Sequence, residues 1–196
     1  MKKYIAEMLG TFGLTIAVLL SISGTLPIPT PLIAALTLGL FVYSIGHISG
    51  THLNPAVSIA LWSIKKISPR ELLGYIVAQF IGAGLASAVA HAMLKVPMLI
   101  VNDRGAVGFA EGLGAFFFAF GIASVVYGKA PSMMSGAVVG GSLLLGISIA
   151  ASVSNGVLNP AVAYGIGSFS AMYLIGPIIG AILGMRAFAW ISGERV

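Results

Sequence analysis

Apolar positions fall in long blocks separated by short polar breaks. Runs cover about residues 4–23, 32–48, 69–94, 106–127, 133–153 and 171–190. Each is long enough for a helix across a hydrocarbon layer, which takes about 20 residues. Two shorter apolar segments interrupt the series. One starts at Asn54 and is stopped by Lys65 and Lys66; the other starts at Asn159 and fades near Ser168. At 1.5 Å per residue, about eleven residues reach roughly half of a 30 Å core, so each is a half-span. The pattern predicts an all-α membrane protein with six transmembrane helices and two re-entrant half-helices.

Local signals agree with these boundaries. Ser68-Pro69-Arg70-Glu71 is a helix start, with Ser68 as cap and Pro69 in the first turn. Both half-spans open on Asn-Pro-Ala, and Asn is a favoured N-cap while Pro suits the first helical position. Small residues recur along the spans: Gly74, Ala78, Gly82, Ala86 and Ala90 in one, Gly136, Gly140 and Gly146 in another, Gly176, Gly180 and Gly184 in the last. In lipid such stripes let helix backbones approach closely.

Composition strengthens the membrane reading. Hydrophobic residues make up 58% and charged residues 8% of 196, and mean hydropathy is +1.05. The net charge of +5 is spread between the apolar runs, which argues for topology signals and against a nucleic-acid patch. With no cysteine, disulfides and thiolate chemistry are excluded. The two N-terminal lysines precede an uncleaved first span, because no small-residue cleavage site follows.

The two halves repeat each other. Ala6-Glu7 recurs as Ala110-Glu111 at an offset of 104, and Asn54-Pro55-Ala56 recurs as Asn159-Pro160-Ala161 at an offset of 105. Tyr75 recurs as Tyr173 at an offset of 98, so the second half is shorter by about seven residues. We read one transmembrane domain built of repeats at about 1–98 and 105–196. Three spans per repeat is an odd number, so the repeats are inverted, 3+3, in the membrane. The half-helices then enter from opposite faces and their N-termini meet near the midplane. Lysines and arginines place both termini in the cytoplasm: Lys2, Lys3, Lys65, Lys66, Arg70, Lys129, Arg186 and Arg195 inside, with only Lys95 and Arg104 outside.

Irregular backbone at membrane depth is tolerated where it is buried in protein or lines a water-filled cavity. The stretches Gly46–Leu53 and Ser154–Leu158 are expected to be such backbone, with unpaired carbonyls forming a polar ladder. At the centre each Asn carbonyl caps its own helix and leaves its NH₂ free for the lumen. Two such donors, with two positive helix ends, oppose cations and pass neutral hydrogen-bond acceptors. This is a mechanism for passive permeation of water or small neutral solutes, with no enzyme chemistry, metal or cofactor.

The chain resembles the major intrinsic protein family of aquaporins and aquaglyceroporins over essentially its full length. The resemblance is carried by Gly46-His47-Ile48-Ser49-Gly50-Thr51-His52-Leu53-Asn54-Pro55-Ala56-Val57, the second Asn-Pro-Ala, Ala6-Glu7, Ala110-Glu111 and Gly176-Pro177-Ile178-Ile179-Gly180-Ala181. It implies an aquaporin-like fold, a homotetramer with one pore per protomer, and residence in the cell membrane. Loop position and resemblance together give Gly50, Thr51, His52, Asn155, Gly156 and Val157 as pore-lining carbonyls. Where the family usually has Arg after the second motif, this chain has Val162. By spacing, the other outer-filter positions fall on Ala34, Ile147 and Gly156, a small apolar set without charge or ring. A wider constriction is expected, for a solute larger or less polar than water.

Glu7 and Glu111 are charges inside spans, open to a proton relay or to a bracing role for the adjacent loops; symmetry and the resemblance favour bracing. His52 is expected at the inner mouth. His47 and His52 lack a third partner for a metal, and His91 lies on a small-residue helix. A secondary transporter and a non-conducting membrane-organising protein of the same fold are the competing readings.

Overall fold

A computed structural model describes residues 1–196. It contains α1 (Lys2–Ile22), α2 (Thr30–Ser49), α3 (Pro55–Ser63), α4 (Pro69–Met93), α5 (Gly105–Val126), α6 (Ser135–Ala150), α7 (Pro160–Gly165) and α8 (Ala171–Ile191), with a 3-10 turn at Ser132–Met134. Six of these segments, 19–25 residues long, are apolar and long enough to cross a membrane. Their outer faces carry exposed Leu36, Leu40, Leu73, Phe109, Ile179 and Trp190, as expected where lipid is the solvent. Six apolar spans with two half-length helices among them are the architecture of an integral membrane protein.

Helix starts follow from the sequence. Ser68 and Glu71 form a reciprocal capping box at α4, satisfying two otherwise unpaired donors. The half-helices α3 and α7 begin at Pro55 and Pro160, capped by Asn54 and Asn159. One boundary differs from expectation. Gly46, His47, Ile48 and Ser49 are helical, so the first irregular stretch is only Gly50–Asn54. Gly50 ends α2 with φ +82 and its N–H donates 2.8 Å to the Gly46 carbonyl, a left-handed cap that suits glycine.

Small residues set the packing. A Cβ on Gly82 would lie 2.2 Å from the Met8 carbonyl oxygen, and one on Gly180 would lie 1.9 Å from that of Gly112. Thus α1 fits against α4 and α5 against α8 backbone to backbone. The halves join where Gly39 and Gly140 of α2 and α6 face Gly136 and Ala35 carbonyls. Each half-helix also packs on the other half's last span, α3 on α8 and α7 on α4. The repeats are interlocked.

The face holding both termini gathers Lys3–Glu71 and Lys129–Glu194 ion pairs, Arg186 donating to the Ser63 carbonyl at 3.0 Å, and Lys66 over the Tyr127 ring. The opposite, or far, face is tied by Ser21 to Thr30 at 2.8 Å. There Asp103 accepts from the Ser170 hydroxyl at 2.7 Å and the Met172 N–H at 2.9 Å. Those two donors hold the Asp103 carboxyl below the usual aspartate range.

Candidate functional site: a membrane-depth cavity

The two Asn-Pro-Ala segments meet tip to tip. Asn54 Oδ1 accepts from the Ala56 N–H at 2.8 Å, and Asn159 Oδ1 accepts from the N–H groups of Ala161 and Val162 at 3.1 and 3.3 Å. The caps are as the sequence predicts. The amide ends are not wholly free. Asn54 Nδ2 donates to the Leu158 carbonyl at 2.9 Å, and Asn159 Nδ2 donates to the Leu53 carbonyl at 2.8 Å. An amide NH₂ has two hydrogens, so one on each Asn fastens the two repeats together and the other is left over beside the cavity that both residues line. Pro55, Ala56, Pro160 and Ala161 are buried behind them.

The loops that present these residues are held in an unusual backbone. Thr51, Leu53 and Leu158 have φ of 52, 49 and 56, and Gly156 has φ 63. A left-handed conformation costs a non-glycine residue about 1–2 kcal/mol, so something must hold it. Glu7, 0% exposed, accepts from Ser49 Oγ at 2.7 Å, His52 N–H at 2.9 Å, Leu53 N–H at 2.7 Å and Gln79 Nε2 at 2.8 Å. Glu111, also 0% exposed, accepts from Ser154 Oγ at 2.7 Å, Val157 N–H at 2.9 Å and Leu158 N–H at 2.6 Å. Both carboxylates gather loop donors, the bracing geometry. Two residues that the sequence did not single out for this task assist. Tyr75 OH donates to the Ser49 carbonyl at 2.6 Å, and Tyr173 OH accepts from the Asn155 N–H at 2.8 Å. Their recurrence at an offset of 98 was the available signal.

The N–H groups of this backbone are spent on the two carboxylates, on hydroxyls and on the Gly46 carbonyl, while the carbonyls of Gly50, Thr51, His52, Asn155, Gly156 and Val157 accept no hydrogen bond within the chain. Backbone carbonyls at membrane depth need a partner. Four of these residues, His52, Asn155, Gly156 and Val157, line a cavity of about 160 Å³ together with Asn54 and Asn159. Gly50 and Thr51 belong to the same ladder but lie outside that lining. At about 30 Å³ per water, the cavity has room for on the order of five molecules.

Ala34, Ile147, Gly156 and Val162 all line the cavity, so the four positions expected to form the filter share one chamber. Ala34, Ile147 and Val162 are 3%, 6% and 4% exposed, and none carries a polar side-chain atom. Gly156 is constrained twice, by φ +63 and by the Ile147 carbonyl oxygen 3.1 Å from where its Cβ would be. The apolar wall is completed by Leu14 and Phe118 and by Leu38 and Leu143, pairs related by the repeat offsets of 104 and 105. Leu99, from the loop between α4 and α5, closes on the far end, where Asn155 Nδ2 donates to the Ile100 carbonyl at 3.2 Å. That polar-looking loop gave no sequence sign of supplying an apolar lining residue.

Of the histidines, His52 lines the cavity and is 6% exposed. His47 is an exposed residue of α2, and His91 is exposed on α4 with Nδ1 2.9 Å from the Ser87 carbonyl.

Comparison with known proteins gives a consistent result. The family profile described as major intrinsic protein matches residues 1–188. The chain is 36% identical to the probable aquaporin AqpM of Archaeoglobus fulgidus, over 82% of this chain and 74% of that protein. It is 34% identical to glycerol uptake facilitator protein-like 6 of Lactiplantibacillus plantarum, over 93% and 94%. The aquaglyceroporin structure from Plasmodium falciparum superposes with a TM-score of 0.73 at 25% identity, covering 97% of this chain and 94% of that one.

Proposed function

Because this chain belongs to the major intrinsic protein family, whose members are passive channels and not enzymes, we propose that its cavity is the conduction path and that Val162 leaves it without a fixed outer charge. At the coarser level, the protein is a membrane channel for water or small solutes. The permeant we assign is a small neutral molecule, glycerol-like or ammonia-like as well as water. One observation carries this: four residues whose loop carbonyls have no internal donor, His52, Asn155, Gly156 and Val157, line one cavity together with a set of apolar side chains. Such a path offers acceptors along one side only. A solute with one polar and one less polar side matches both walls, and an ion finds too few ligands to replace its hydration.

The central pair supplies the remaining selectivity. Each Asn keeps one amide hydrogen for the lumen, and both half-helices point their positive ends at the same point. A passing oxygen accepts from both sides and turns its own hydrogens outward, which breaks a continuous water chain. Cations meet two positive ends. With no arginine in the filter, exclusion of protons and cations rests on this centre.

The assembly we propose is a homotetramer in the cell membrane, with both termini cytoplasmic and each protomer a single domain of repeats 1–98 and 105–196. Eight of the ten basic residues lie toward the terminal face in this arrangement. The deciding experiment is stopped-flow light scattering on proteoliposomes, with water, glycerol, urea and ammonia compared against empty vesicles. Protein-dependent flux that does not saturate and ignores ion gradients is expected. Equal rates with and without protein for all four solutes refute the conduction path.

A further inference from the structure

Ser58 and Gln79 take no part in the two-fold scheme. Both are fully buried, at 0% exposure, and their repeat-related positions are Ala163 and Pro177. They join the Glu7 carboxylate to the His52 ring without a gap. Gln79 Nε2 lies 2.8 Å from Glu7 Oε2 and 3.0 Å from Ser58 Oγ. Ser58 Oγ lies 3.0 Å from His52 Nδ1.

The direction of this chain is decided at its carboxylate end. A carboxylate accepting from Ser49, His52, Leu53 and Gln79 has only acceptor sites to offer. Turning the Gln79 amide over would set its Oε1 against a carboxylate oxygen. The NH₂ therefore faces Glu7, and its second hydrogen goes to Ser58. Gln79 Oε1 is left buried without a partner, a loss the molecule accepts to keep this orientation. Ser58 Oγ, already an acceptor, has one proton to give, and His52 Nδ1 is in reach of it. Nδ1 is then the bare ring nitrogen, and a neutral imidazole carries its proton on Nε2. Nε2 makes no hydrogen bond within the chain and is not among the sealed polar atoms, while the ring lines the cavity.

We propose that Ser58 and Gln79 are positioning residues that lock His52 in its Nε2–H tautomer, so that the terminal-face half of the path holds a fixed donor for the lone pair of a neutral solute. At the repeat-related place in the far half stands Val157, whose side chain donates nothing. The path is thus chemically polarised along its length: one side of the Asn pair has a side-chain donor left free for a solute, while on the other the donors of Asn155 and Thr30 are spent on Ile100, Ser168 and Ser21. The role for the solute rests on the channel reading above; the tautomer does not.

The test is ¹⁵N magnetic resonance on histidine-labelled full-length protein in lipid bilayers, with the His52 signals identified by their loss in His52→Phe. The parent should show Nε2 protonated and Nδ1 bare in a single population. Ser58→Ala and Gln79→Met should each give a mixture of tautomers, and Ser58→Thr should restore the single form. In proteoliposomes Ser58→Ala should slow urea relative to water by about twofold, because an even tautomer mixture leaves the Nε2–H donor in half of the molecules. An Nδ1–H form in the parent, or a pure Nε2–H form in both Ser58→Ala and Gln79→Met, overturns the proposal. The parent spectrum decides even where a variant does not fold. The expected tautomer with no flux of any solute through the parent would instead refute the conduction path and leave the ring assignment standing.

Discussion

Asn54 uses both ends of its side-chain amide, one to cap its helix and one to hold the Leu158 carbonyl. Replacing it by alanine removes a cap worth about 1 kcal/mol and strips a buried carbonyl of its donor, a further loss of about 1–3 kcal/mol. Asn54→Ala should lower the thermal unfolding midpoint in detergent, and Asn54→Asp, which keeps the cap but not the donor, should recover only part of it. At the proposed filter, Val162→Arg should reduce glycerol flux by roughly tenfold, a barrier of about 1.4 kcal/mol, while water passage survives. Glycerol flux equal to the parent's would show that Val162 is not at the constriction. The capping half of Asn54 is legible in Asn-Pro-Ala because it is local chemistry. Its donor half is not, since the accepting carbonyl lies in the other repeat. Ser58 and Gln79 were silent for the same reason: a buried serine or glutamine declares itself only through what it touches.

Among the elements, the spans and half-spans follow from run length and caps, and the small stripes from spacing. The stripes' partners become visible only in three dimensions: Gly180 lies on the Gly112 backbone, while Gly105 in the same helix pair faces open space. Gly180→Ala should therefore force α5 and α8 apart and destabilise the protein by about 1–3 kcal/mol, whereas Gly105→Ala should be close to neutral in the same unfolding assay. The end of α2 was misread because Gly-His-Ile-Ser-Gly has the composition of a loop. It stays helical because Ser49 reaches Glu7 and Gly50 closes the last turn. The α4–α5 loop carries a pH dependence. Asp103 is more acidic folded than unfolded, so its contribution is present above the ordinary aspartate pKa of about 3.9 and is lost as pH falls through the lower folded value. Amide exchange at Met172, referenced to an unstructured peptide, should quicken on that acidification, and in Asp103→Asn it should already be quicker at neutral pH.

At the scale of the whole molecule, the inverted repeat was readable from paired offsets, but the interlock was not. Sequence copies suggest two separable halves. The structure sets α3 against α8 and α7 against α4, and exchanges two amide–carbonyl bonds at the centre. Residues 1–104 and 105–196 expressed as separate chains should each give little folded protein, and together should restore a complex that co-purifies. Recovery of either piece alone with the parent's protease resistance would contradict this.

The crossed bonds between Asn54 and Leu158, and between Asn159 and Leu53, also impose an order on biosynthesis. When the ribosome has delivered only the first repeat, the Leu53 carbonyl and the Asn54 amide sit in the bilayer with no partner yet translated. The first re-entrant segment cannot settle until residues more than a hundred positions later have been inserted. The cavity is therefore unfinished in any chain that stops short of Leu158 and Asn159: the repeat made first waits for its closing bonds from the repeat made second.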